Sequence, residues 1–292
     1  MLFKGSGVAL VTPFKKDENI NFDKLEELIN LHIENKTDAL IICATTGEGA
    51  TLDSSEYIKM IKFCVKKVSK KIPVIVGSGS NNTKITIDKS RLAQDLGADG
   101  LLVVTPYYNK CNMEGLYLHY KKINDSVNIP IIMYNVPSRT GVDMSVEIIL
   151  KLSKLKNICG IKEASQDICK VAKEIKNTSK DFCVYSGNDD QILPCLSIGG
   201  SGVISVFANI YPKEMHDICD YYFKGDLLSA SKLYYRYLDF MEKLFIDVNP
   251  IPVKKAMNIL GYDVGNCRLP LSNLNSKKTK TLKNEILNLK VK

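Results

Sequence analysis

The chain has 292 residues, 45% of them hydrophobic and 25% charged, with a formal net charge of +8. These proportions describe a soluble globular protein with a sizeable core, and no apolar run approaches the ~20 residues that cross a bilayer. The positive balance does not point to nucleic acid, because the lysines are spread along helices and the densest group (Lys277, Lys278, Lys280) lies in a polar C-terminal segment.

In chain order, short β-rich runs alternate with longer helical ones. Val8 to Phe14 reads as a first strand, and Asn21 to Asn35 as a helix with Phe22, Leu25, Leu28, Ile29 and Ile33 on one face. Ala39 to Ala44 is a fully apolar second strand, as expected for a strand buried on both sides. Asp53 and Glu56 form a capping-box pattern that opens a helix to Ser69. Ile72 to Val76 is the third strand, and its helix, from about Thr83, stops at Gly97. The fourth strand is Leu101 to Val104, with a helix from Met113 to Ser126. Pro130 to Tyr134 is the fifth, with a helix from about Ser145, and Ile158 to Lys162 the sixth, with a helix from about Asp167. Phe182 to Ser186 is the seventh, with a short helix after Asp190. Gly202 to Val206 is the eighth, and a helix from Pro212 leads to Lys224.

Eight βα units predict a (β/α)8 TIM barrel over residues 1–224. A doubly wound sheet would need a glycine fingerprint after the first strand, where Thr12-Pro13-Phe14 stands. From Gly225 the alternation stops. Asp226 to Ile246 is one long amphipathic pattern, Asn249-Pro250-Ile251-Pro252 breaks it, and helical stretches follow near Val253 to Leu260 and Lys278 to Leu289. Residues 225–292 are therefore expected to form a C-terminal helical extension.

Met1 to Gly7 lacks the pattern of a signal peptide. Nine cysteines without a C-x-x-C spacing, and three scattered histidines (His32, His119, His216), argue against a zinc site or a disulfide framework. A cytoplasmic location is expected. Gly199-Gly200-Ser201-Gly202 precedes the eighth strand, the wrong end of a barrel for a phosphate site, and reads as a tight turn. With no P-loop and no dinucleotide fingerprint, no cofactor is expected.

Barrel enzymes carry their chemistry where strands end. Lys162 ends the sixth strand, in the run Gly160-Ile161-Lys162-Glu163-Ala164. A lysine there either reaches water or is desolvated, and a desolvated amine is a nucleophile toward carbonyls. Thr45-Thr46-Gly47-Glu48 follows the second strand and can hold a small carboxylate or cap a helix. Tyr107, Tyr108 and Tyr134 can pack or relay protons. Arg139, on the loop after the fifth strand, can take a carboxylate in a bidentate grip.

These residues carry a resemblance. Gly7 to Phe14, Thr45 to Glu48, Thr105 to Lys110, Tyr134 to Gly141, Gly160 to Ala164, Ser186-Gly187, Gly202 to Val206 and Asn249 to Lys254 occur in order over the full length. The sequence resembles the pyruvate-dependent class I aldolases of the dihydrodipicolinate synthase and N-acetylneuraminate lyase group. Thr45-Thr46 and the Val-Pro-Ser-Arg-Thr-Gly motif around Arg139 resemble the synthase branch.

The resemblance implies that Lys162 forms an imine with pyruvate, and that the derived enamine attacks L-aspartate 4-semialdehyde. It implies a proton relay of Tyr134, Thr45 and Tyr108, the last inserted from a neighbouring subunit of a homotetramer or dimer. It assigns the pyruvate carboxylate to Thr46, the semialdehyde carboxylate to Arg139, and the pocket lining to backbone groups of Gly187 and Ile204. Ala44 stands where a glycine is usual, and Val248 where an acidic residue is usual. Lysine-regulated relatives carry a glutamate at the position of Ile85 and commonly histidines at Ser54 and Tyr57, so weak or absent lysine inhibition is expected. The alternatives are another pyruvate-dependent class I aldolase, acting on a 2-keto-3-deoxy sugar acid or N-acetylneuraminate, and a non-catalytic binding barrel.

Overall fold

The computed structural model describes residues 1–291. Eight parallel strands close into a barrel in sequence order: β1 (Gly5–Ala9), β2 (Ala39–Ile42), β3 (Val74–Gly77), β4 (Gly100–Val104), β5 (Ile131–Asn135), β6 (Ile158–Glu163), β7 (Cys183–Ser186) and β8 (Gly202–Ser205), which returns to β1. The outer ring is α1 (Phe22–Glu34), α2 (Ser54–Val68), α3 (Thr83–Asp95), α4 (Met113–Asn124), the single turn α5 (Pro137–Thr140), α6 (Val146–Leu152), α7 (Ile168–Asn177), α8 (Ile192–Ser197) and α9 (Pro212–Phe223). Three further helices follow: α10 (Leu227–Lys243), α11 (Ile251–Ile259) and α12 (Ser276–Val291).

Helix starts follow their caps. Asp53 and Glu56 make the expected capping box on α2, Ser145 caps α6 and Asp167 caps α7. The first strand is shorter and earlier than Val8 to Phe14. The ladder with β8 uses Gly5 to Val8, and that with β2 uses Gly7 to Ala9. Beyond Leu10 the backbone turns to other partners: Val11 N donates to Asn209 Oδ1 at 2.9 Å, Phe14 N donates to Val264 O, and Pro13 has no N–H. The apolar run is buried throughout, but only its first part is sheet.

Alternation along each strand separates two apolar layers. Ala9, Ile41, Ile75, Leu102, Ile132, Tyr134, Tyr185 and Ile204 fill the barrel interior, while Val8, Leu40, Val76, Val103, Met133, Ile161 and Val184 face the helices. On β6, Ile161 faces out, so Lys162 faces in and Glu163 faces α7. Leu282, Ile286 and Leu289 of α12 belong to the same apolar cluster as the outer barrel layer. At the lower end, Gly202 has φ 148°, and a Cβ there would lie 2.0 Å from Gly5 O, so the tight turn before β8 needs glycine.

Candidate active site

Lys162 projects into the barrel from the C-terminal end of β6 and is only 5% exposed. Its strand neighbours in register are Tyr134 on β5 and Tyr185 on β7. The ammonium lies 4.4 Å from the centroid of the Tyr134 ring. Tyr185 backs the site; its ring stacks on Phe3 at 4.3 Å and its hydroxyl donates to Phe3 O. Burial pushes the Lys162 amine down to about 8, Asp189 works against that shift, and Arg139 adds to it. An appreciable fraction of Lys162 is therefore neutral near neutral pH, which is the form that attacks a carbonyl.

Asp189, in the 3₁₀ turn Asp189–Gln191 after β7, is 1% exposed. Its Oδ2 accepts from Val206 N at 3.0 Å and Phe207 N at 2.8 Å. Burial raises its carboxyl to about 6, against the pull of hydrogen bonds and Lys162. Tyr134 is buried, which raises its phenol, while Arg139 and a hydrogen bond with Thr45 act in the opposite direction. A chained pair of hydroxyls thus stands next to the amine.

A cavity of about 380 Å³ opens above these residues, lined among others by Thr45, Tyr107, Tyr134, Arg139, Asn249 and Lys89. The loop bearing Thr45 and Thr46 is tied down from the C-terminal helices. Lys254 of α11 donates to Glu48 Oε1 at 2.9 Å, Thr12 O at 3.0 Å and Asn266 O at 2.8 Å, which uses all three of its N–H groups. Glu48 Oε2 accepts from Arg268 N, and Arg268 grips Glu56 and the Glu18 and Thr51 carbonyls. Asn249 Nδ2 donates to Thr46 Oγ1 at 2.9 Å, and Arg139 Nη2 donates to Asn249 O at 3.4 Å.

A buried amine facing a tyrosine at the mouth of a barrel narrows the chemistry. Comparison with known sequences decides the family: residues 2–289 match the dihydrodipicolinate synthetase family model. The chain belongs to the dihydrodipicolinate synthetase family. A 4-hydroxy-tetrahydrodipicolinate synthase of Clostridium novyi (strain NT) is 54% identical over 288 residues, 98% of this chain and 97% of that protein. Among solved structures, the dihydrodipicolinate synthase of Thermotoga maritima superposes with a TM-score of 0.97 at 42% identity, covering 100% of both chains. The chloride-inhibited enzyme of Acinetobacter baumannii, complexed with pyruvate, gives a TM-score of 0.96 at 40% identity over 99% of each chain.

Within this family member, most residues singled out from the sequence converge. Thr45, Tyr134 and Arg139 line one cavity, Lys162 contacts Tyr134, and Thr46 joins them through Asn249. Ile204 shares the interior layer with Tyr134. Gly187 N donates to Glu163 O at 2.7 Å, beside Lys162; a Cβ on Gly187 would lie 2.6 Å from the Ala164 Cβ, so no larger residue fits. Tyr108 does not join the site of its own chain: it is 88% exposed, at φ 72°. Sequence reasoning gave no role to Asp189 or to the Asn249 side chain. An acidic residue just past a buried strand was the available signal for Asp189; for Asn249 there was only its motif.

Proposed function

We propose that this chain catalyses the 4-hydroxy-tetrahydrodipicolinate synthase reaction, joining pyruvate to L-aspartate 4-semialdehyde, with Lys162 as the imine-forming residue. The neutral Lys162 amine attacks the keto carbon of pyruvate, and water leaves to give the imine. The imine draws electrons from the methyl carbon, which loses a proton and becomes the enamine carbon. That carbon attacks the aldehyde carbon, whose oxygen takes a proton. The substrate amine then attacks the imine carbon, closes the ring and expels the Lys162 amine. Tyr134 and Thr45 carry protons between these steps. Thr46 binds the pyruvate carboxylate and Arg139 that of the semialdehyde, with the Gly187 carbonyl and the Ile204 backbone beside them.

The observation that carries this reading is the interior position of Lys162, with burial holding its amine at about 8 opposite Tyr134. Self-association belongs to the same reading: a homotetramer or dimer in which the partner subunit's Tyr108 completes the relay. The 88% exposure of Tyr108 supports it. Among the described residues no helix is long and apolar enough to cross a membrane, and all nine cysteines are free thiols. The free thiols suit the cytoplasm, where we place the enzyme.

The test is borohydride reduction in the presence of pyruvate, followed by intact mass and peptide mapping. A reduced pyruvyl adduct on Lys162, absent from Lys162→Ala, is the expected result. A folded wild-type chain that forms no adduct would overturn the proposal.

A further inference from the structure

Thr46 is 1% exposed and its hydroxyl carries a single hydrogen. Asn249 Nδ2 donates to the Thr46 oxygen at 2.9 Å. Among the described residues the Thr46 hydroxyl donates no hydrogen bond, so its hydrogen remains for a ligand. A carboxylate offers only acceptors. The direction of the Asn249 bond therefore decides whether Thr46 presents a donor or an acceptor to the site.

We infer that Asn249 is a positioning residue for carboxylate binding: its side chain makes Thr46 a donor toward the first substrate's acid group, and its backbone carbonyl steadies Arg139 for the second. The inference rests on the pyruvate-aldolase reading above and adds to it a residue that acts through others. Three features support the assignment. Asn249 is 5% exposed and lines the cavity shared by Thr45, Tyr134 and Arg139. Its carbonyl accepts from Arg139 Nη2 at 3.4 Å, so one residue touches both acid-binding side chains. It also lies just before α11, four residues before Val253 and five before Lys254, whose buried bond to Glu48 holds the other end of the Thr45–Glu48 loop. Both ends of the threonine loop are thus set by one rigid segment.

The experiment measures the pyruvate concentration that half-saturates borohydride trapping on Lys162. It compares wild type, Asn249→Asp, Asn249→Ser, Thr46→Val and the Thr46→Val/Asn249→Asp double variant, with thermal melting of each. An aspartate at 249 is nearly isosteric, accepts where asparagine donates, and would take the Thr46 hydrogen away from the ligand. The expected result is a rise of about tenfold or more in half-saturating pyruvate for Asn249→Asp, with trapping still complete at high pyruvate. Asn249→Ser, too short to reach Thr46, shows a smaller rise in the same direction. In the Thr46→Val background the aspartate changes half-saturation by no more than about twofold, a coupling that general loosening of the fold would not produce.

If the asparagine amide instead accepted from Thr46, aspartate would preserve that bond. Half-saturation of Asn249→Asp equal to wild type therefore overturns the inference. So does an equal rise with and without the Thr46 hydroxyl. A wild-type chain that traps no pyruvate overturns the aldolase reading itself, which separates the two failures.

Discussion

Lys254 Nζ lies 2.9 Å from Glu48 Oε1, and the two side chains are 2% and 0% exposed. They come from opposite ends of the chain, 206 residues apart. Burial lowers the Lys254 amine, and Glu48 counters it. Two carbonyls satisfy the remaining lysine donors, so this pair has the full set of partners that a buried ion pair needs.

Replacing Lys254 with methionine removes one member and leaves the Glu48 carboxylate buried. The expected cost is ~3–5 kcal/mol of stability, read as a lower denaturant midpoint. Adding Glu48→Gln removes the stranded charge and restores part of the loss. Half-saturating pyruvate should rise in Lys254→Met, because Glu48 ends the loop that carries Thr45 and Thr46.

Asp189 holds the Lys162 amine higher than burial alone would leave it. Imine formation requires the neutral amine, so trapping at limiting pyruvate should increase with pH and reach its midpoint at about 8. In Asp189→Asn the supporting charge is gone, and the midpoint moves to lower pH. A pH series of trapping rates reads both curves; an unmoved midpoint would show that Asp189 has no electrostatic hold on Lys162.

Behind β6, Glu163 and Glu174 face each other, both almost fully buried, with Lys170, Asp143 and Cys195 around them. Burial and the Glu163 charge raise Glu174 from 4.5 to about 9. The folded state therefore keeps a proton that the unfolded chain has released. This contribution is fully present below pH 4.5 and is lost as pH rises toward 9. Thermal melting should show a declining midpoint across that window, and Glu174→Gln, which cannot ionise, should flatten the decline.

Free lysine should inhibit this enzyme weakly or not at all. Ile85, 45% exposed on α3, offers no charge to an incoming ammonium. One helical turn on, Lys89 points into the same cavity that Tyr107 and Ala50 line, with its own ammonium 5.2 Å from the Tyr57 ring centroid. A fixed cation there repels a second one. Steady-state rates with sub-millimolar lysine check this, and strong inhibition would contradict it.

The sequence by itself determined the barrel and most of the catalytic rim. Short continuous apolar runs with helices between them leave few ways to bury every strand on both faces, and chemistry in such a barrel collects at the strand ends. Lys162, Tyr134 and Arg139 were legible because each sits just where a readable strand stops. Only the tertiary structure decided what lies beneath and across that rim. The inward direction of Lys162 depends on register, which one residue of slip would reverse. The end of β1 at Ala9, inside an unbroken apolar run, depends on where neighbouring strands supply hydrogen-bond partners. Asp189, Asn249 and the Lys254–Glu48 pair act through contacts between residues far apart in sequence. Burial and charge at such contacts arise only when the closed barrel brings the C-terminal helices over its mouth, so no local pattern encodes them.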